Sequence, residues 1–307
     1  MDPNSFPQQV AQTVYAGIMT EELALADNVC AKYTQTITLN GTLPRKTNKS
    51  SLGRVGNRKL APGVAAQEHG GEMAGTTFSA TAHVGTDFVP DETIISMSAY
   101  GEDALADRLR TARMEANLNV DATLAEVLES QTLNMVFDCT SAGAGSWNDF
   151  TNSTPLTDMR KARKDFAPGS DTIIVGSGLL YVLLDHPAFF AGQNFFNAGA
   201  LDYEKFEATF RAKIPGIRNV YVWEKVYDAN ALGQAEDIDY LYDYGCWIGH
   251  KSDLVLVEPQ SELQGMVDQQ RIIARRGYQI SVSRYIDVCR PTRQKGVAFV
   301  NAYDPTP

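Results

Sequence analysis

Between Glu102 and Gln131 apolar residues recur every three or four positions. Leu105, Leu109, Ala112, Ala116, Val120, Leu124 and Val127 form one stripe in a segment without Gly or Pro. This period predicts one long α-helix with a single buried face. At ~1.5 Å per residue it would be about 45 Å long. Glu102, Asp103 and Asp107 lie in its first turns, the end where the helix dipole favours carboxylates.

On the C-terminal side of this helix the pattern alternates between periods. Helices are predicted over 155–166, 178–186 and 203–213, and strands over 171–175, 219–227 and 246–259. Two more strands follow in GYQISVSRYIDVCRP and KGVAFVNAY. Near the N-terminus, MTEELALADNV predicts a short amphipathic helix capped by Thr20, at the end of a polar arm. KYTQTITLNGTL and TTFSATAHVGTDFVPDETI read as strands. The mixture is α+β, with strands from distant parts of the chain sharing a sheet.

Between those last two strands runs PRKTNKSSLGRVGNRKLAPGVAAQEHGGEMAG. It is too long and too polar for an ordinary connection inside a compact domain. Its flanks are expected to form a two-stranded antiparallel ribbon over 36–90 that projects a basic tip. An isolated ribbon is marginal in water, so its support should come from outside this chain's own core. That expectation points to self-assembly.

Composition narrows the class. The chain has 307 residues, 44% hydrophobic and 21% charged, the balance of a globular protein with a real core. Its apolar runs are broken well before the ~18 residues a membrane span needs, and MDPNSFPQQV has no secretory pattern. Cys30, Cys139, Cys246 and Cys289 form no CxxC pair; they read as reduced, packed thiols. A net charge of −10 argues against a general nucleic-acid binder. The charge is unevenly spread. No Asp or Glu occurs from Asn28 to Gln67, a segment holding Arg45, Lys46, Lys49, Arg54, Arg58 and Lys59, whereas Asp228, Glu236, Asp237, Asp239 and Asp243 cluster later.

Few positions offer chemistry. In SDTIIVGSGLLYVLLDHPAFF an apolar run meets Gly176-Ser177-Gly178 and enters a leucine-rich helix, the layout of phosphate-binding turns. Leu179 and Leu180 stand where a P-loop needs Lys and Ser or Thr, and Tyr181 stands where a dinucleotide fingerprint needs its third glycine. The nucleophile elbow G-x-S-x-G is absent as well. A structural turn is the expected reading. Glu68, His69 and Glu72 flank glycines on a loop, so a solvated loop is expected there rather than a metal site. His83 and His250 are expected as packed or surface histidines, and Trp147, Trp223 and Trp247 as core or inter-subunit packing. No cofactor, metal or catalytic set is predicted.

Several phrases in order resemble the major capsid proteins of tailed phages, the Hong Kong ninety-seven capsid fold. FVPDETI resembles the junction of extended loop and spine helix. TPLTDMRKARKDF followed by SDTIIVGSGLLYVLLDHPAFF resembles the helix, strand and helix of the axial domain. NVYVWEKVYDANALG and DYGCWIGHKSDLVLVEP resemble its paired strands, and RRGYQISVSRYIDVCRP with GVAFVNAY the return strands of the peripheral domain. The resemblance implies an N-terminal arm at 1–35, an extended β-hairpin loop at 36–92, and a spine helix with the start of the peripheral domain at 93–137. It further implies an axial domain at 138–275 and return strands at 276–307.

It also implies a non-enzymatic shell subunit of a virion, assembled in the host cytoplasm from hexamers and pentamers around double-stranded DNA that it does not read. The implied partners are further copies of itself, a separate scaffolding protein, a portal and a decoration or cement protein. Arg45, Lys46, Lys49, Arg54, Arg58 and Lys59 are the expected inter-subunit contacts. Lys46, Lys49 and Lys59 would be candidates for the covalent crosslink of some members, but no asparagine or glutamate partner is identified. The alternatives are a cellular nanocompartment of the encapsulin kind and, more distantly, an α/β enzyme using the loop at 176–178.

Overall fold

The computed structural model describes residues 33–39, 44–48, 73–77, 81–99, 103–141, 145–190, 203–228, 237–251, 254–259, 266–289 and 296–305. The elements in chain order are β1 (Gln35–Leu39), β2 (Pro44–Asn48), β3 (Met73–Thr77), β4 (Thr81–Pro90), α1 (Asp91–Ala99), α2 (Ala104–Glu129), β5 (Met135–Asp138) and α3 (Pro155–Asp165). Next come β6 (Thr172–Gly176), α4 (Ser177–Asp185), α5 (Pro187–Phe190), α6 (Tyr203–Lys213), β7 (Asn219–Trp223), β8 (Val226–Asp228) and β9 (Ile238–Tyr240). The last are β10 (Cys246–Gly249), β11 (Val255–Pro259), β12 (Met266–Ile272), β13 (Gly277–Cys289) and β14 (Gly296–Val300).

Two five-stranded sheets organise these elements. In the first, the long strand β13 pairs antiparallel with β4, β12 and β11, and β1 adds parallel to β11. The second has the order β5-β14-β10-β6-β7, with β5 parallel to β14 and β6 parallel to β7. The segment predicted as one strand over 246–259 is two strands in different sheets. A turn bond from the Leu254 N–H to the Lys251 carbonyl at 3.2 Å separates them. The predicted ribbon differs as well. Its outer strands β1 and β4 do not pair with each other; the antiparallel ribbon is formed by β2 and β3. The short helix predicted in MTEELALADNV and the tip at 49–72 lie outside the described residues.

Helix α2 joins the two sheets. Asp103 caps it, its carboxylate accepting from the N–H groups of Leu105 (3.0 Å) and Ala106 (3.2 Å). The first half of the predicted stripe, Leu109, Ala112 and Ala116, packs with Val89, Ile280 and Val282 of the first sheet. The approach is close because position 85 has no side chain: a Cβ there would lie 1.8 Å from the Ala112 carbonyl oxygen. The second half, Val120, Leu124 and Val127, packs between Leu256, Ile286 and Val288 of one sheet and Ile174, Trp223 and Trp247 of the other.

The opposite face of the second sheet carries a separate core. Ile173, Val175, Val222 and Ile248 meet Met159 of α3, Leu179 and Leu183 of α4 and Phe210 of α6. β6 is therefore buried along its whole length, which is why it reads as an unbroken apolar run instead of an alternating one.

Asn134 closes the C-terminal end of α2. Its Nδ2 donates to the carbonyls of Val127 (2.7 Å), Leu128 (3.0 Å) and Ser130 (3.0 Å). Its Oδ1 accepts from Trp247 Nε1 at 3.0 Å, on the central strand of the second sheet. The side chain, 1% exposed, thus satisfies carbonyls that a helix end leaves open. Asn134→Ala removes the amide's bonds to the Val127 and Leu128 carbonyls and to the Trp247 indole in a dry site, while the Ser130 carbonyl keeps the bond from residue 134's own backbone N–H. It should cost about 2–4 kcal/mol, the sum of one or two buried unsatisfied groups, measured as a lowered urea midpoint at unchanged slope.

Candidate functional site

The glycine turn at 176–178 sits at the C-terminal end of β6, where an anion could meet the first N–H groups of α4. The protein supplies that anion itself. Asp243 Oδ1 accepts from the Gly178 N–H at 2.8 Å and lies 3.5 Å from Ser177 Oγ, while the Asp243 carbonyl accepts from the Leu179 N–H at 3.1 Å. The Gly176 N–H is taken by the Gly245 carbonyl at 2.9 Å. A Cβ at Gly176 would lie 2.1 Å from the carbonyl oxygens of Tyr242 and Asp243, so the glycine is required by the approach of the 242–245 loop. The turn is a docking point for that loop, which occupies the N–H groups of Gly176, Gly178 and Leu179.

A cleft of about 560 Å³ opens beside this loop, lined by Glu129, Tyr240, Tyr244 and Tyr303 among others. Tyr244 and Tyr303 stack with centroids 3.8 Å apart and planes 10° apart. Burial, with the Tyr303 contact, pushes the Tyr244 hydroxyl up to about 12, and burial beside Glu126 raises Glu129.

The other candidates fall into structural roles. Trp147, Trp223 and Trp247 are fully buried; Trp147 donates to Asp158 Oδ2 at 3.0 Å. His83 sits 3.3 Å from Thr81 Oγ1 on β4, and His250 Nδ1 lies 3.5 Å from Asp171 Oδ1. Cys139 and Cys246 are buried free thiols whose pKa values burial raises. Among the described residues no group of His, Cys, Asp or Glu is arranged to hold a metal, and no helix is long and apolar enough to cross a membrane. Glu68, His69 and Glu72 lie outside the described residues, as do Lys49, Arg54, Arg58 and Lys59. Arg45 and Lys46 are placed on β2, opposite Thr76 and Gly75 of β3.

Sequence reasoning passed over His186. It is buried, accepts the Ala188 N–H on Nδ1 at 3.1 Å and meets Ser153 Oγ with Nε2 at 3.0 Å. Nδ1 is an acceptor, so the proton resides on Nε2 of a neutral ring, and Ser153 passes its own hydrogen to the Asp149 carbonyl at 2.6 Å. Phe150 stands edge-on to the ring at 5.5 Å. Only the pattern H-P after a leucine-rich helix marked the position.

The surface features are a different matter. β8 and β9 pair only with each other among the described residues. Their register puts Val226, Ile238 and Tyr240 on one face, exposed by 43%, 68% and 38%. Such a face on a ribbon of three-residue strands has little support of its own.

Comparison with known proteins places the whole arrangement. A phage-related protein of Bordetella bronchiseptica superposes with a TM-score of 0.61 at 13% identity, covering 90% of this chain and 92% of that one. The capsid of an empty GTA particle gives 0.54 at 10%, covering 90% of each chain. This is the Hong Kong ninety-seven capsid fold. The SrpI encapsulin complex of Synechococcus elongatus also matches, at 0.53 and 10% identity over 90% of this chain and 88% of that one. No family model and no curated protein matches the sequence. In the capsid fold seen here, the backbone path is kept while nearly all side chains differ. The turn at 176–178 lies within that fold, closed by the 242–245 loop.

Burial lowers the His186 pKa. A base depressed on folding contributes stability that is present above its unfolded value of about 6.5 and is lost as pH falls through the folded value. Denaturant midpoints should therefore drop between pH 7 and 5.5. His83 is lowered too, so the check is a comparison with His186→Asn, whose side-chain oxygen can accept the Ala188 N–H. The slope in that window should be shallower in the variant than in the wild type.

Proposed function

We propose that the chain is the major shell subunit of a tailed-phage head, assembling as hexamers and pentamers around double-stranded DNA. The carrying observation is the capsid fold matched over nine-tenths of the chain by a phage-related protein. In this reading α2 is the spine helix. The sheet built on β13 belongs to the peripheral region, and the β5-β14-β10-β6-β7 sheet with α3, α4 and α6 to the axial region. The ribbon β2–β3 belongs to the extended loop. By pairing, β11 and β12 go with the first sheet and β14 with the second; the proposed regions follow the sheets where these differ from the chain boundaries read off the sequence.

The same reading gives the basic tract its role. Arg45, Lys46, Lys49, Arg54, Arg58 and Lys59 lie in a segment without a carboxylate from 28 to 67 on a chain of net charge −10. They would find acidic surface on a neighbouring copy. A separate scaffolding protein, a portal and a decoration protein are the further partners of such a subunit. The acidic balance of the shell also suits enclosure of DNA without sequence-specific binding, since tight adhesion would oppose its release.

Electron microscopy and sedimentation of the purified chain test the reading directly. Closed icosahedral shells, or rings of five and six, are expected, and a strictly monomeric or dimeric protein even with a co-expressed scaffold would overturn it. Nuclease-protected double-stranded DNA inside native particles supports the phage head; a protein cargo there supports a nanocompartment instead. Replacing the six basic residues with Gln should reduce particle yield several-fold, more at ~0.05 M salt than at ~0.5 M because the Debye length shrinks with salt. Wild-type yield at both salts would show that the tract makes no electrostatic contact.

A further inference from the structure

Two surfaces of opposite character stand at opposite ends of the second sheet. β6 and β7 are parallel, with Thr172 beside Asn219 at one end and Gly176 beside Trp223 at the other. The ends are about 13 Å apart at ~3.3 Å per residue.

The first end is basic. Helices α3 and α6 both finish there: Arg163 Nε donates to the Ser170 carbonyl at 2.9 Å and Arg160 Nε to the Lys213 carbonyl at 2.8 Å. Arg218 enters β7 at the same place, its N–H on the Asp171 carbonyl at 2.8 Å. Arg160, Arg163, Lys164, Arg211 and Arg218 belong to these segments together with Asp165, Asp171 and Glu207, five cations against three carboxylates, while the Lys213 ammonium donates to the Ala188 and Phe189 carbonyls. Arg211 is bound to Glu207. Arg160, Arg163, Lys164 and Arg218 make no ion pair among the described residues. A local excess of cations on a chain of net charge −10 is an attractive surface for carboxylates.

The other end is acidic and apolar. The ribbon β8–β9 leaves the sheet beyond Trp223, held by the Leu241 N–H on the Lys225 carbonyl at 3.0 Å. It carries Glu224, Asp228, Asp237 and Asp239 against the single Lys225, with Val226, Ile238 and Tyr240 exposed. Arginine and lysine stems can cover such apolar groups while their heads meet the carboxylates, and a guanidinium can stack on Tyr240.

Resting on the shell-subunit reading, we infer that the β8–β9 ribbon of one copy docks on the α3–α6 basic end of the next, making a head-to-tail contact. The two surfaces differ and point apart, so one molecule cannot pair them within itself. Successive copies can, and a heterologous contact of this kind closes into a ring when its rotation divides the circle. A nucleic acid would use the basic end alone and leave the exposed ribbon unexplained, so a second copy is the occupant favoured.

Charge reversal tests the pairing. Lys164 and Arg218 are exposed at the basic end, as are Glu224 and Asp237 at the ribbon, and none makes a side-chain hydrogen bond or ion pair among the described residues. The variants K164E/R218E and E224K/D237K should each shift the concentration for assembly upward by about tenfold or more, equivalent to ~1.4 kcal/mol per contact. Carrying all four reversals in one chain should restore assembly. Mixing the two double variants should restore rings of six but not of five, because alternating copies match every junction only in even rings.

Wild-type shells or rings that ignore both double variants would overturn the pairing while leaving the shell reading intact. So would a quadruple variant no better than the worse double. A protein that forms no shells or rings even as wild type would instead remove the shell reading. Loss of binding to random-sequence double-stranded DNA by K164E/R218E, with assembly unchanged, would assign the basic end to nucleic acid and overturn the inference.

Discussion

One helix bears on two sheets that share no strand, and its C-terminal end is closed by a single buried amide. Asn134 binds three carbonyls at the end of α2 and the indole of Trp247 on the middle strand of the second sheet. The relative placement of the sheets thus depends on a side chain that has donors and an acceptor to offer at once. Aspartate would bring only acceptors, and leucine would bring neither. Each replacement leaves carbonyls or an indole N–H dry and unbonded, a cost comparable to a sizeable part of the stability of an ordinary domain. At the other end the absence of a side chain does the equivalent work, since Gly85 lets β4 lie against the backbone of α2 at Ala112.

The second sheet is a layer buried on both faces. Ile173 and Val175 face the core with α3, α4 and α6, while Ile174 and Trp247 face the core shared with α2. A strand in that position must end in a turn that closes without exposing polar backbone, and Asp243 with the 242–245 loop provides the closing groups. What resembles a phosphate site in sequence is therefore a completed internal contact. The buried, neutral His186 has a similar character: its two nitrogens are used up by Ala188 and Ser153.

The surface is less complete than the interior. Ribbons β2–β3 and β8–β9 pair only with themselves among the described residues, and apolar side chains are left exposed on the second. An isolated ribbon gains too little from its few hydrogen bonds to offset the entropy of ordering it. Such elements become stable when another molecule covers them, which is a physical argument in favour of the proposed assembly. The low identity to the solved structures of this fold has a physical reason. A fold defined by close approaches and buried faces can keep its path while most side chains change volume together.

Periodicity determined a great deal. The stripe from Leu105 to Val127 specified α2, because burial of one face every three or four residues has few other solutions. The apolar run at 173–175 specified a buried strand, and the missing Lys and third glycine around 176–181 excluded the nucleotide turns. That exclusion needed only local chemistry. The order of elements was legible enough to suggest the fold. Pairing partners were not: β1 lies on β11, from the far end of the chain, and 246–259 divides between two sheets. Nor did anything near Gly178 announce Asp243, or anything near Val127 announce Trp247. Local pattern records which face of an element is buried, since that is a property of one segment and water. Which segment supplies the other side of a contact is settled by long-range packing, where small residues, single hydrogen bonds and charge at the ends of a sheet decide between arrangements that the local pattern leaves equal.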